Sequence, residues 1–420
     1  MKYKKIDNEK YDLYYFKTDK YKTINITTIL INEVNEKNIT LDNFLSSYIL
    51  GTSKKYDNEI LMNKKYMDLY NPSFTVYDIY RDKHFKVYDV NFINEKYTEK
   101  DSNKKIINFY YDLMFNINEK NNKLDKRETD LVKEQMKMEY RLDEEDPSEK
   151  AYYNSIKLIS DDLPIKINPK GNKKDLRKIN IKESYNYYKN QIRTGKIIVF
   201  VTGDIDDNII KIIDNNLKNN VYKNDYEIKT TYEVSNVKQT KEKIDKTRFN
   251  ESILYLIYKI PNITLREREI VLPLFNNILG GSSSRLFNNI REKNSLAYFA
   301  YSNYIKHFGI LYMYAGISSK NYEKTVDLMK ETLNDLRNGN ITEKEIKDSK
   351  EVINSSLLKN EDSIYSIVSD MITTVLFNKI DKETFKKEIK NVNKKELIDL
   401  SNKLELDVIY LLRGEVHENN

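Results

Sequence analysis

The feature that most limits what this chain can fold into is an internal repeat. The β-branched run Thr23–Ile31 (TINITTILI) is answered by Ile253–Pro261 (ILYLIYKIP). Likewise LDNFLSSYILG, ending at Gly51, is answered by VLPLFNNILGG, ending at Gly281, so that both pairs stand 281 − 51 = 230 residues apart. A closing segment recurs at a shorter lag: Lys196–Val201 followed by Thr202-Gly203-Asp204 matches Asp407–Leu412 followed by Arg413-Gly414-Glu415, with 414 − 203 = 211. Self-similarity at a fixed lag indicates one structural unit used twice. A chain of 420 residues also exceeds one ordinary core and accommodates two. The expected fold is α+β, two duplicated domains with a sheet backed by helices in each, over residues 1–221 and 249–420. The polar stretch 222–248 reads as a linker with room for an edge strand.

The local pattern fits that plan. Leu41, Phe44, Leu45 and Tyr48 mark an amphipathic helix over Ile39–Leu50, ended by Gly51. A second helix is predicted over Asn58–Tyr70, strands over Ser73–Tyr80 and Phe85–Phe92, and a helical region from Asn103 to about Ser160. The strand Lys196–Val201 and a helix over Ile205–Leu217 close the first half. In the second half Tyr322, Val326, Met329, Leu333 and Leu336 recur at steps of four and three, one packing face of a helix over Asn321–Asn338. Gly339 stops it, and Thr342 with Glu345 forms a capping-box pattern that starts the next helix.

Composition removes several function classes. With 71 basic and 65 acidic residues the net charge is only +6, and Lys and Glu are interleaved rather than striped, so nucleic acid is not an expected partner. There is no cysteine, hence no disulfide and no thiolate metal site. No segment has the apolar length of a membrane span, and MKYKKIDNEKYDLYYF lacks the apolar core of a signal peptide, so a cytoplasmic protein is expected.

The richest stretch is Leu279–Tyr304, LGGSSSRLFNNIREKNSLAYFAYSNY, read as a paired glycine turn, a short helix, a loop and a strand. Gly280 and Gly281 allow positive φ there, and Ser282 or Ser283 can accept from the first N–H groups of the helix. Leu286, Phe287 and Ile290 give that helix an apolar face. Arg291 closes its last turn, and Tyr298 follows on the strand, so the two flank a turn.

This stretch resembles the second-domain signature of the pitrilysin/insulinase zinc peptidases, whose members carry an Arg and a Tyr at the spacing of Arg291 and Tyr298. The resemblance runs from Thr23 to Glu415. It implies mostly antiparallel sheets of the metalloprotease LuxS/processing-peptidase kind, and a closed chamber in which one domain bears zinc and the other presents the Arg and the Tyr to a peptide. The segments NKKYMDLYNPSFTVYD, VNFINEKY and LFNNIREKNSLAYFAYSNYIKHFGILYMYAGISSKNYE are most similar to non-catalytic bacterial members associated with elongation factor P modification, which are encoded with a zinc-bearing sister.

Catalytic members use an inverted motif, His-x-x-Glu-His, in which two histidines and a distant Glu hold Zn²⁺ while the inner Glu takes a proton from the metal-bound water. Aligned through Gly51, that motif falls on Asp42-Asn43-Phe44-Leu45-Ser46, or one residue later on Asn43–Ser47. Both registers lack histidine, and in the first the base position is Leu45. The third ligand falls on Glu139, in MKMEYRLDEEDP. The chain's histidines, His84, His307 and His417, show no second His within a helical turn and no carboxylate constellation suited to zinc. The expectation is therefore a degenerate metallopeptidase homologue with no catalytic residue and no metal of its own. It would pair with a homologous zinc-bearing subunit and contribute Arg291 and Tyr298 to peptide binding and oxyanion stabilisation. A peptide-binding or scaffold protein is the alternative, and the isolated chain is left open as monomer or homodimer.

Overall fold

The computed structural model describes residues 3–281 and 284–415. They form two compact units, neither a single stretch of chain. The first comprises residues 3–141, 167–228 and 361–376, and the second residues 142–166, 229–281, 284–360 and 377–415.

The sheet of the first unit contains β1 (Lys4–Asp7), β2 (Tyr11–Lys17), β3 (Thr23–Glu33), β4 (Ser73–Tyr80), β5 (Lys83–Ile93) and, after the two-residue strands β6 (Glu119–Lys120) and β7 (Lys123–Leu124) of a separate hairpin, β8 (Lys196–Gly203). Their order is β1-β2-β8-β3-β5-β4. The β-branched run makes β3 the buried centre, flanked antiparallel by β8 and β5. Alternate residues then serve opposite faces: Ile24, Ile26 and Leu30 join the main core of this unit. Onto that face pack α1 (Ile39–Gly51), through Phe44, Leu45 and Tyr48, and the helix α3 (Ser102–Phe115), through Ile106, Ile107 and Tyr111. Between them in sequence lies α2 (Glu59–Asp68), which starts where Asn58 accepts from the Leu61 N–H at 3.1 Å.

The second sheet comprises β9 (Lys241–Lys246), β10 (Ser252–Lys259), β11 (Ala297–Ile305), β12 (Ile310–Ile317) and β13 (Glu405–Arg413), ordered β11-β12-β10-β13-β9. Without β1, the first sheet reads β4-β5-β3-β8-β2, the same succession. In each sheet the one parallel pairing falls at the same place, β2 with β8 and β13 with β9. Two duplicated α+β units, as the repeat required, are therefore present down to strand polarity.

Both faces of the second sheet are covered. Leu254, Leu256, Leu311, Met313 and Leu411 enter one apolar cluster, while Ile253, Tyr255, Ile257, Val408 and Tyr410 enter the other. The helix Lys126–Glu145 (α4) is followed by α5 (Pro147–Ile156), which closes the second cluster with Ala151 and Ile156. Pro147 stands at the first turn of α5, where no intrahelical N–H partner is needed, and Asp146 accepts from the Ser148 and Glu149 N–H groups. Among the described residues no helix is long and apolar enough to cross a membrane.

Candidate functional site

The residues singled out in Leu279–Tyr304 lie on three successive elements of the second unit. The helix Leu272–Gly280 ends at the glycine pair. The expected left-handed turn is absent: Gly280 is still helical and Gly281 has φ −72°, so neither uses the freedom of positive φ. Gly280 serves close approach instead. A Cβ there would lie 2.1 Å from the backbone nitrogen and from Oγ of Ser302 on β11. Gly280→Ala is expected to cost about 1–3 kcal/mol of stability, the usual effect of forcing extra atoms into a packed site, read from the midpoint of urea unfolding.

The two expected capping serines, Ser282 and Ser283, lie outside the described residues. Ser284 carries a contact of that kind, its Oγ accepting from the Phe287 N–H at 3.4 Å. The helix that follows is wound as a π-helix over Phe287–Glu292, a geometry found disproportionately at functional sites. Leu286 and Ile290 are fully buried and anchor it, and Arg291 points outward with 46% of its side chain exposed. Its guanidinium lies over the Phe287 ring, 5.0 Å from the centroid.

Arg285, at the start of this helix, clamps it to the helix Glu343–Asn360 by a bidentate pair with Glu345, at 2.7 and 2.9 Å. Glu345 also accepts from the Thr342 N–H, while Thr342 accepts from the Glu345 N–H, the reciprocal box read from the sequence. Burial opposes ionisation of Glu345, but Arg285 and Thr342 outweigh it and hold the carboxyl at about 2 rather than 4.5. A depressed folded-state pKa stabilises above the unfolded value and loses that contribution as pH falls from about 4.5 towards 2. We expect Glu345→Gln to lower stability at pH 7 by about 1 kcal/mol, given solvent screening of this partly exposed pair, with the difference vanishing in urea titrations near pH 2.

Beyond the helix, Ser295 takes φ 50° and returns the chain to β11. Pairing runs Ala297↔Ile317 and then Phe299↔Gly316, so Tyr298 is the extra residue of a β-bulge on an edge strand. Bulges re-aim a side chain away from the alternation of its strand, and Tyr298 is 67% exposed. Arg291 and Tyr298 thus both face solvent on either side of one turn; among the described residues no hydrogen bond joins them.

In the first unit the positions expected from the resemblance to carry the degenerate motif lie on α1. Leu45, at the expected base position, is wholly buried in the apolar core. Asp42 and Ser46, one helical turn apart, are also buried. Glu139 is exposed on α4, and no contact among the described residues joins it to either. In the alternative register Asn43 donates to the carbonyls of Ile39 and Pro169.

The sequence offers His84 no carboxylate constellation suited to zinc, and the fold brings two carboxylates to it without making such a site. Asp42, Asp78 and His84 offer ligand atoms within 4.8 Å of one another. Strand pairing makes this cluster, because β4 and β5 set Asp78 opposite Lys86 and Tyr80 opposite His84, with α1 above them. His84 Nε2 is 2.6 Å from Asp78 Oδ1, and the ring stacks on Tyr80 at 4.9 Å. Asp42 Oδ1 accepts from Tyr187 at 2.9 Å and Gln191 at 2.7 Å, and its Oδ2 accepts from Tyr80 at 3.1 Å. Burial pushes the Asp42 carboxyl up, with His84 and Lys86 opposing; for Asp78, burial is outweighed by Lys86 and His84, which hold it well below the usual range.

Zinc does not fit this group. The Lys86 ammonium already lies among the ligands, 2.8 Å from Asp78 Oδ1, 3.0 Å from the Asp42 carbonyl and 2.7 Å from Ser46 Oγ. Both Asp78 oxygens are engaged, since Ser46 Oγ donates to Oδ2 at 2.7 Å. His307 is buried beside the Thr230 carbonyl, and His417 lies outside the described residues.

Residues 178–353 match the family model described as Peptidase M16 inactive domain. A Bacillus subtilis (strain 168) protein named Probable inactive metalloprotease YmfF is 25% identical over 414 residues, 95% of this chain and 94% of its own length. A second protein of that organism, Uncharacterized zinc protease YmxG, is 39% identical over 106 residues, 24% of this chain and 26% of its own. The crystal structure of a conserved protein from Enterococcus faecalis V583 superposes over 99% of this chain and all of that one, with a TM-score of 0.92 at 22% identity. A peptidase M16 inactive domain from Pseudomonas fluorescens superposes over 99% and 98% respectively, at 0.80 and 15%. The chain is thus similar, over residues 178–353, to the Peptidase M16 inactive domain and, over most of its length, to a protein named a probable inactive metalloprotease.

Proposed function

We propose that this chain is the non-catalytic subunit of a two-chain zinc endopeptidase, closing the peptide chamber of a homologous zinc-bearing subunit. Arg291 binds a peptide carbonyl, and the Tyr298 hydroxyl donates to the oxyanion of the tetrahedral intermediate. The observation that carries this reading is the unequal treatment of the two halves. In the first, the motif positions are sealed in core and charge network; in the second, a bulge turns Tyr298 outward beside an exposed Arg291. The similarity to two proteins of one organism, one named an inactive metalloprotease and one a zinc protease, supports a division of labour.

The test is co-expression with a zinc-bearing homologue from the same genome, then sizing and a fluorogenic peptide assay of each chain alone and of both. Activity confined to a one-to-one complex is the expected result. Full activity of the homologue alone, or no complex, would leave this chain as a peptide-binding or scaffold protein.

A further inference from the structure

We propose that the Lys86 ammonium permanently fills the cation position of the α1 pocket, making it a self-occupied site that excludes divalent ions while fastening α1 to the edge of the first sheet. The first support is saturation. An ammonium has three N–H donors, and the three acceptors around Lys86 are the Asp42 carbonyl, Ser46 Oγ and Asp78 Oδ1. Those acceptors come from the helix (Asp42, Ser46) and the edge strand β4 (Asp78), and Lys86 itself comes from β5, so one cation ties three elements. Second, Lys86 is 1% exposed, a burial lysine tolerates only when fully partnered.

Third, the ligand set is used up. Asp42 is held by Tyr80, Tyr187 and Gln191, and Asp78 by His84, Ser46 and Lys86. An entering divalent ion would have to displace Lys86 and find its carboxylates already hydrogen-bonded. With Lys86 gone, the same cluster would offer two carboxylates and an imidazole within 4.8 Å, a donor set suited to zinc. The side chain at position 86 therefore decides between an internal and an external cation. This inference concerns the isolated chain and stands or falls without any partner.

The experiment compares wild type, Lys86→Ala and Lys86→Ala/His84→Ala. Each is stripped with chelator, dialysed against zinc and assayed for bound metal, with Co²⁺ absorption reporting the ligand set. The expected result is no His84-dependent ion in wild type, one equivalent in Lys86→Ala, and its loss in the double variant. Zinc bound stoichiometrically by wild type and lost on His84→Ala would overturn the proposal, as would a folded Lys86→Ala that binds none. Should Lys86→Ala not fold without metal, refolding in zinc decides: recovery of native protein with one equivalent supports the proposal, and no recovery overturns it.

Discussion

Lys86→Met is expected to destabilise the isolated chain by about 3–5 kcal/mol, the range for removing one partner of a buried ion pair. Methionine keeps the packing of the stem and removes only the charge and its donors. What remains is costly: Asp78 loses its nearest cation at 2.8 Å, Ser46 and the Asp42 carbonyl lose a donor, and two carboxylates share a pocket with a single imidazole. Urea unfolding at pH 7 measures the loss, and the double variant Lys86→Met/Asp78→Asn separates its parts. If the unpaired carboxylate is the main penalty, the double variant recovers a large share of the stability lost. A midpoint for Lys86→Met equal to wild type would show that the ammonium does not hold α1 in place.

The second large effect is kinetic. In the reconstituted complex, Tyr298→Phe is expected to lower kcat by a factor of roughly 10²–10³, or about 2.7–4 kcal/mol of transition-state stabilisation, as for loss of one oxyanion donor. The substitution should leave assembly intact, because Tyr298 is an exposed bulge residue and only its hydroxyl is removed. Arg291→Ala should instead raise KM, since its assigned contact is made with bound peptide as much as with the transition state. Unchanged kcat in Tyr298→Phe with an intact complex would reduce this subunit to a scaffold.

The repeated plan of the fold was readable because its central strands are β-branched runs buried on both faces, a pattern hard to satisfy otherwise. The β1–β2 hairpin escaped notice. KKID is wholly exposed and YDLYYFK buries only Tyr11 and Leu13, so neither shows a strand's apolar signature. Its place comes from parallel pairing with β8, about 186 positions away, since Tyr11 lies opposite Ile197. The positions of Arg291 and Tyr298 followed from the local motif, whereas the π-winding and the bulge that expose them depend on packing and register. The network around Lys86 left one faint trace: His84 and Lys86 alternate on one face of a strand whose neighbours are apolar. A buried lysine on a core-facing strand needs partners, but Asp42 lies over 40 residues earlier and could be found only through the fold. The glycine pair misled because two adjacent glycines fit a tight turn and a close crossing equally well.

The traded segments of the two units have a consequence for synthesis. Residues 142–166 belong to the second unit, and residues 361–376, made after most of the second unit, belong to the first. Domains ordinarily fold in order as they leave the ribosome. Here the first unit lacks a piece of itself until residues 229–360 of the second have emerged, and the piece it carries for the second unit waits meanwhile without its sheet. The two units are thus bound to mature together, and a cut between residues 228 and 229 would yield two incomplete products rather than two domains.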